Sequence, residues 1–229
     1  MNLRPEEWAA LMLSLKVSLW AVAISLPFAL LVAWLLARRE FPGKALLSAL
    51  VHLPLVLPPV VTGYLLLLAF GRNGVLGAKL ADWGITLAFH WTGAALAAAI
   101  MGFPLVVRAI RLAIEAVDPK LEQAAETLGA GRIAVFVLVT LPLILPGILA
   151  GVVLGFAKAM GEFGATITFV ANIPGQTQTL PSAIYALLQV PGGEAAALRL
   201  GVLSLVVAIG AVLLSEWLAR RVAERIGQK

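Results

Sequence analysis

Long uncharged apolar runs alternate along the chain with short clusters of charge. The runs are Val17 to Ala37, Ala45 to Phe70, Ile85 to Val107, Ile133 to Ala157, and Leu200 to Glu216 with its flanks. Each is about the 20 residues that an α-helix needs to cross a hydrocarbon core roughly 30 Å thick. The pattern predicts five transmembrane helices, over approximately 17–37, 45–70, 85–107, 133–157 and 199–219, in a single membrane domain spanning 1–229. Two further apolar stretches, Phe163 to Ala171 and Pro181 to Val190, are about half the length of a crossing. They read as a re-entrant or interfacial hairpin within an outer region, 163–198. Such a hairpin is tolerated at membrane depth only where protein or a watery cavity satisfies its backbone.

Prolines stand inside the runs: Pro54, Pro58 and Pro59 in HLPLVLPPVVTG, and Pro142 and Pro146 in TLPLILPG. In water they would break a helix. In a bundle, neighbouring groups satisfy the freed carbonyls, so kinked spans are expected. Pro142 and Pro146 read as packing residues where a helix enters the membrane. For the first group, a packing role and a bend used in a conformational change both stay open.

Charge gives the orientation. Arg38, Arg39, Lys44, Arg108, Arg111, Lys120, Arg132, Arg220, Arg221, Arg225 and Lys229 flank the runs on one side, against Arg4, Lys16, Arg72, Lys79 and Arg199 on the other. The richer side should be cytoplasmic, which puts the N-terminus outside and the C-terminus inside. Trp34 and Trp217 then fall near the inner boundary and Trp83 and Trp91 near the outer one, as amphipathic rings do.

Composition supports lipid as the solvent: 61% of the 229 residues are hydrophobic and only 13% charged, with a mean hydropathy of +0.99. Too few polar residues exist to cover a soluble core. The net charge of +5 sits beside the apolar runs, where membrane orientation explains it and no nucleic-acid partner is implied. The chain has no cysteine and two histidines, His52 and His90. Disulfides, thiolate chemistry and a metal site are therefore not expected. The apolar run after MNLRPEEWAALM is too long for a signal peptide, so the start reads as retained. No G-x-x-x-x-G-K-[ST] phosphate loop occurs, so the chain lacks the usual cradle for ATP.

The longest inside loop, 108–132, carries its own helix. Asp118 is the N-cap, Pro119 the first helical residue and Gly129 the stop. Leu121, Ala124, Ala125 and Leu128 recur at i, i+3, i+4 and i+7, an apolar stripe about two turns long, with Lys120, Glu122, Gln123 and Glu126 opposite. So short a helix is marginal alone, and its stripe requires a docking surface. Periodicity leaves open whether that surface is the chain's own spans or another protein.

Gln123, Ala124, Ala125, Gly129, Val139, Leu141 and Pro142 stand at the spacing of a known signature: E-A-A, three residues, G, nine residues, I, one residue, L-P. In this pattern the loop resembles the coupling loop of bacterial ABC importer permeases. Gln123 replaces the family's Glu, with Glu122 one residue earlier, and Val139 replaces Ile. One residue is a rotation of about 100° around a helix, which puts any salt bridge of the family's Glu out of register. FPGKALL, HLPLVLPPVVTGYLLL, FPLVVRAIRLAIEAVDPKLEQAAETLGAGR and GEFGATITFVANIPGQTQTLPSAIY are similar to the molybdate branch of these permeases, whose neighbours serve sulfate and tungstate.

The resemblance implies an all-α, multi-pass protein of the bacterial inner membrane, with the fold of a type I ABC importer permease. Its implied partners are a second copy of itself, cytoplasmic ATPase subunits that use ATP and Mg, and a periplasmic oxyanion-binding protein. This chain would bind no cofactor and catalyse nothing. Leu121, Glu122, Gln123, Ala124, Ala125, Leu128 and Gly129 would couple it to the ATPase.

Other features stand apart from that signature. Gly147, Gly151 and Gly155 form a repeated G-x-x-x-G ridge that suits close helix approach. It could be a dimer seam or an internal contact. Lys158 and Glu162, at i and i+4, could form an ion pair or face the translocation path. A stand-alone secondary carrier is disfavoured by the lack of an internal repeat and of acidic residues at midplane. An intramembrane enzyme is disfavoured because no nucleophile, acid pair or metal cluster assembles in the spans.

Overall fold

A computed structural model describes residues 4–226; Lys229, grouped above with the basic C-terminal residues, lies outside them. All regular elements among the described residues are helical. They are α1 (Pro5–Arg38), α2 (Lys44–Val56), α3 (Pro59–Phe70), α4 (Val75–Ala81), α5 (Trp91–Glu115) and α6 (Pro119–Thr127). Next, α7 (Arg132–Val135) runs through a π-helical stretch, Phe136–Thr140, into α8 (Leu141–Met160). The chain ends with α9 (Gly164–Val170), α10 (Leu180–Leu188) and α11 (Glu194–Ile226). Pro5–Arg38, Trp91–Glu115, Arg132–Met160 and Glu194–Leu218 are each long and apolar enough to cross a membrane. The pair α2 and α3, bent by 112°, makes a fifth crossing if it is counted as one.

The centre is built from small side chains. α1 buries Ser14, Ser18, Ala21, Ser25, Ala29 and Ala33 along one stripe, and Ala94, Ala97 and Ala98 of α5 share a core cluster with Val17 and Ala21 of α1. Lipid tails are as apolar as leucine, so helices in a bilayer gain by close van der Waals approach, which small residues permit. The glycine ridge serves the same end. A Cβ at Gly147 would collide with that of Ala113, and one at Gly155 would lie 2.7 Å from Val106 Cγ2. Of the two openings left by the sequence, the ridge takes the internal one: it is the seam between α8 and α5.

Several elements differ in extent from the apolar runs, each for a local reason. α1 starts at Pro5, well before residue 17, because Glu7 secures its first turn. One Glu7 oxygen accepts from the Arg4 backbone N–H at 2.9 Å, and the other accepts from Arg199 Nη2 of α11 at 2.8 Å. The run 45–70 breaks at Leu57 and Pro58, both extended, since consecutive prolines remove a donor and push the preceding residue out of the helical region. α5 starts at Trp91 and not at 85, because Phe89 adopts φ 58° and His90 is extended at the N-cap. It then continues past 107 to Glu115, which draws Arg108 and Arg111 into the helix and shortens the loop expected over 108–132.

The region 163–198 is packed into the bundle. α9 lies against α3 and α5, with Ala165, Thr166, Phe169 and Val170 buried. Gly63 and Gly164 allow that approach: a Cβ at Gly164 would lie 2.8 Å from Pro59 Cβ. Ser14 of α1 accepts from the Leu180 N–H at 2.7 Å and so caps the start of α10.

Candidate functional site: the α6 platform

α6 is bounded at both ends by its own residues. Asp118 Oδ1 accepts from the Lys120 N–H at 2.9 Å, and Pro119 occupies the first position, where no donor is needed. At the far end the Gly129 N–H donates to Glu126 O at 3.0 Å and the Ala130 N–H to Ala125 O at 3.1 Å. These two bonds and the Gly129 φ of 89° are a Schellman stop, which needs a left-handed residue at that point.

α6 is held to the bundle by a polar contact and not by its leucines. Glu122 is the polar residue that turns inward: its Oε1 accepts from Arg38 Nη2 at the end of α1 at 3.3 Å and from Thr140 Oγ1 at 2.7 Å. Arg38 Nη2 also reaches Val117 O, just past α5, at 3.1 Å. One carboxylate thus joins α6 to α1 and to the π-helical stretch, while the guanidinium covers a carbonyl that α5 leaves open. The apolar stripe points away: Leu121 is 49% exposed and Leu128 89%, and α6 contributes no buried residue. Gln123, Ala124 and Gly129 are exposed, and Ala125 is half-buried.

Arg38 and Thr140 were not singled out from the sequence as partners of this helix. Arg38 lies 84 positions from Glu122, beyond any local window. The π-helical stretch that ends at Thr140 is also a feature that often marks functional sites.

Lys158 and Glu162 come together at the junction of α8 and α9. Lys158 Nζ lies 2.8 Å from Glu162 Oε2, and Glu162 Oε1 accepts from the Ala165 N–H at 3.0 Å. Glu162 is 2% exposed, so its charge is sustained by these two donors. His52 Nδ1 lies 2.7 Å from Ser48 O, and Arg111 Nε lies 2.7 Å from Glu115 Oε1.

The basic groups collect at two ends of the bundle. Arg38, Arg39 and Arg132 line one cavity with Glu122 and Glu126 of α6, whereas Arg199 meets Glu7, about 46 Å away along α1 at 1.5 Å per residue. A helix held through Glu122 at the arginine-rich end, with Leu121 and Leu128 turned outward, belongs to an all-helical protein with several helices long and apolar enough to cross a membrane.

Residues 25–224 match the family of binding-protein-dependent transport system inner membrane components. The chain belongs to that family. It is 63% identical, over the full length of both chains, to the molybdenum transport system permease protein ModB of Escherichia coli (strain K12). The sulfate transport system permease protein CysT of Salmonella typhimurium is 40% identical over 81% of this chain and 67% of its own. Among solved structures, a bacterial alginate ABC transporter in complex with an alginate pentasaccharide-bound periplasmic protein shares the fold. That match has a TM-score of 0.76 at 20% identity and covers 96% of this chain and 80% of that one.

Proposed function

We propose that this chain is the membrane-spanning permease subunit of an ATP-driven importer whose cargo is molybdate. Two copies form one path on a two-fold axis, and cytoplasmic ATPase subunits, using ATP and Mg, receive the α6 knobs. A periplasmic binding protein delivers the oxyanion at the opposite end. The N-terminus lies outside and the arginine-rich end inside, in keeping with the excess of Lys and Arg there.

The observation that carries this reading is the set of α6. Leu121 and Leu128 stand exposed on the outer side of a helix whose inner side is tied by Glu122 to Arg38 and Thr140. Closure of the ATPase pair moves the knobs together. Through Glu122 that displacement reaches the end of α1 and the start of α8, shifting the path between outward- and inward-open states. The cargo assignment is supported by the 63% identity to the molybdenum permease. The 40% identity to a sulfate permease makes sulfate the competitor to exclude.

The test is reconstitution in liposomes with the cognate ATPase and binding protein. ATP-dependent molybdate uptake should be suppressed by unlabelled molybdate far more than by sulfate, with tungstate as a third competitor. Stronger competition by sulfate would reassign the cargo. Uptake driven by an ion gradient without the ATPase would replace the importer by a secondary carrier.

A further inference from the structure

We propose that the chain holds one anionic phospholipid in a two-part pocket along the last turns of α1. This inference rests on membrane insertion and is independent of the transported cargo. The polar part has a volume of 260 Å³ and is walled by Arg38, Arg39, Arg132, Glu122 and Glu126. The apolar part, of 360 Å³, is walled by Pro27, Leu30, Leu31 and Ile133. Trp34, Arg132 and Phe136 line both, so the two parts adjoin.

The shape suits an amphiphile standing in one leaflet. From Pro27 to Arg38 the helix axis advances roughly 16 Å, close to half of a hydrocarbon core about 30 Å thick. Leu31 and Ile133 are 56% and 82% exposed, so the apolar part opens sideways, where an acyl chain would lie. Trp34 stands where the two parts meet, the depth at which an indole is satisfied by a wet and a dry side.

Charge selects the headgroup. Arg38 is committed to Glu122 and Val117. Arg39 and Arg132 are exposed and make no ion pair among the described residues. Arg39 lies 5.2 Å from the centre of the Trp34 ring, a cation–π contact that leaves its N–H edge available. Two guanidiniums on one side of the pocket match the paired oxygens of a phosphodiester. Opposing them is a single unpaired carboxylate, Glu126. The balance favours a lipid with net negative charge over a zwitterion, whose ammonium would sit beside Arg39 and Arg132.

The experiment is native mass spectrometry of the full-length protein after exchange into mixed phosphatidylglycerol, phosphatidylethanolamine and phosphatidylcholine. The wild type should retain one phosphatidylglycerol per chain in preference to the other two. Arg39→Gln and Arg132→Gln should each lower that retention roughly fivefold, and the double variant about 25-fold, as expected for one basic group each near a charged headgroup. Leu31→Trp, at an exposed position, should abolish retention with no change of charge. Excess inorganic phosphate should leave the bound lipid in place. The proposal is overturned by equal retention of phosphatidylethanolamine, by a double variant that retains lipid like the wild type, or by displacement with phosphate alone. It is also overturned if a photo-crosslinker at residue 31 captures a second copy or the ATPase in place of lipid.

Discussion

Replacing Glu122 by alanine should release α6 from the bundle without unfolding the membrane helices. Glu122 Oε1 accepts from Arg38 at 3.3 Å and from Thr140 at 2.7 Å, and the Arg38 and Glu122 side chains keep 16% and 20% of their exposure. A fully exposed pair of this kind contributes below about 1 kcal/mol, and breaking a fully buried one costs about 3–5 kcal/mol. The half-buried geometry, with a Thr140 hydroxyl left without its acceptor, places the loss at about 2 kcal/mol. Thr140 recovers part of this by turning to a carbonyl one turn back, so the figure is an upper value. An opening free energy lowered by 2 kcal/mol is roughly a 30-fold change in an equilibrium constant. Amide hydrogen exchange across Ala124–Leu128 should accelerate by up to that factor, because those amides open locally. Glu122→Gln keeps an acceptor for Thr140 and loses the charge, so its acceleration should be about fivefold, near 1 kcal/mol. Exchange along α8 should stay as in the wild type. Unchanged exchange in α6, or equal acceleration in α6 and α8, would refute the argument.

Three further outcomes follow from the same geometry. Gly147→Ala places a Cβ against that of Ala113 and should cost about 1–3 kcal/mol by overpacking. Gly201→Ala, where nothing lies within 4 Å, should gain up to about 1 kcal/mol of helix propensity; thermal melts in detergent that rank the two the other way would dissolve the α5–α8 seam. Lys158→Met leaves Glu162, 2% exposed, with one donor, and should cost about 3 kcal/mol. Adding Glu162→Gln should restore most of the melting temperature, and a restored protein with wild-type uptake would rule the pair out of the path. Ala125→Glu and Gly129→Val should keep the protein in the membrane while separating ATP hydrolysis from uptake, the second because φ 89° strains a β-branched residue by about 1–2 kcal/mol; normal coupling in both would move the docking surface elsewhere.

The membrane helices were legible as apolar runs because lipid demands length and low charge from every crossing. Their ends were less so. Glu6, Glu7 and Lys16 put charge ahead of the first apolar run, yet Glu7 is buried against Arg199, 192 positions away, a compensation that hydropathy cannot see. Ile85 to Phe89 are apolar enough for a span, but the positive φ of Phe89 keeps them out of α5. Pro58 and Pro59 announce a break in the second run without its 112° angle, which depends on how α3 packs against α9. In α6 the caps, the stop and the stripe were all readable from Asp118, Pro119, Leu121, Leu128 and Gly129, because they are local. Which face turns inward was not, since amphipathicity names two faces and leaves the choice to a distant arginine. The shift of the acidic residue from position 123 to 122 put the salt bridge of the resembled pattern in doubt; the Arg38–Glu122 pair is not something that shift announced.

The absence of cysteine from the chain makes a single engineered thiol unambiguous, and Leu128, 89% exposed on the outward face of α6, is the place for it. Cross-linking of Leu128→Cys in membranes that contain the cognate ATPase should capture that subunit, in a yield that changes with ATP. The same thiol should be shielded from a membrane-impermeant maleimide applied from outside. Labelling from the outer compartment, or a cross-link formed with no ATPase subunit under any nucleotide condition, would contradict the account.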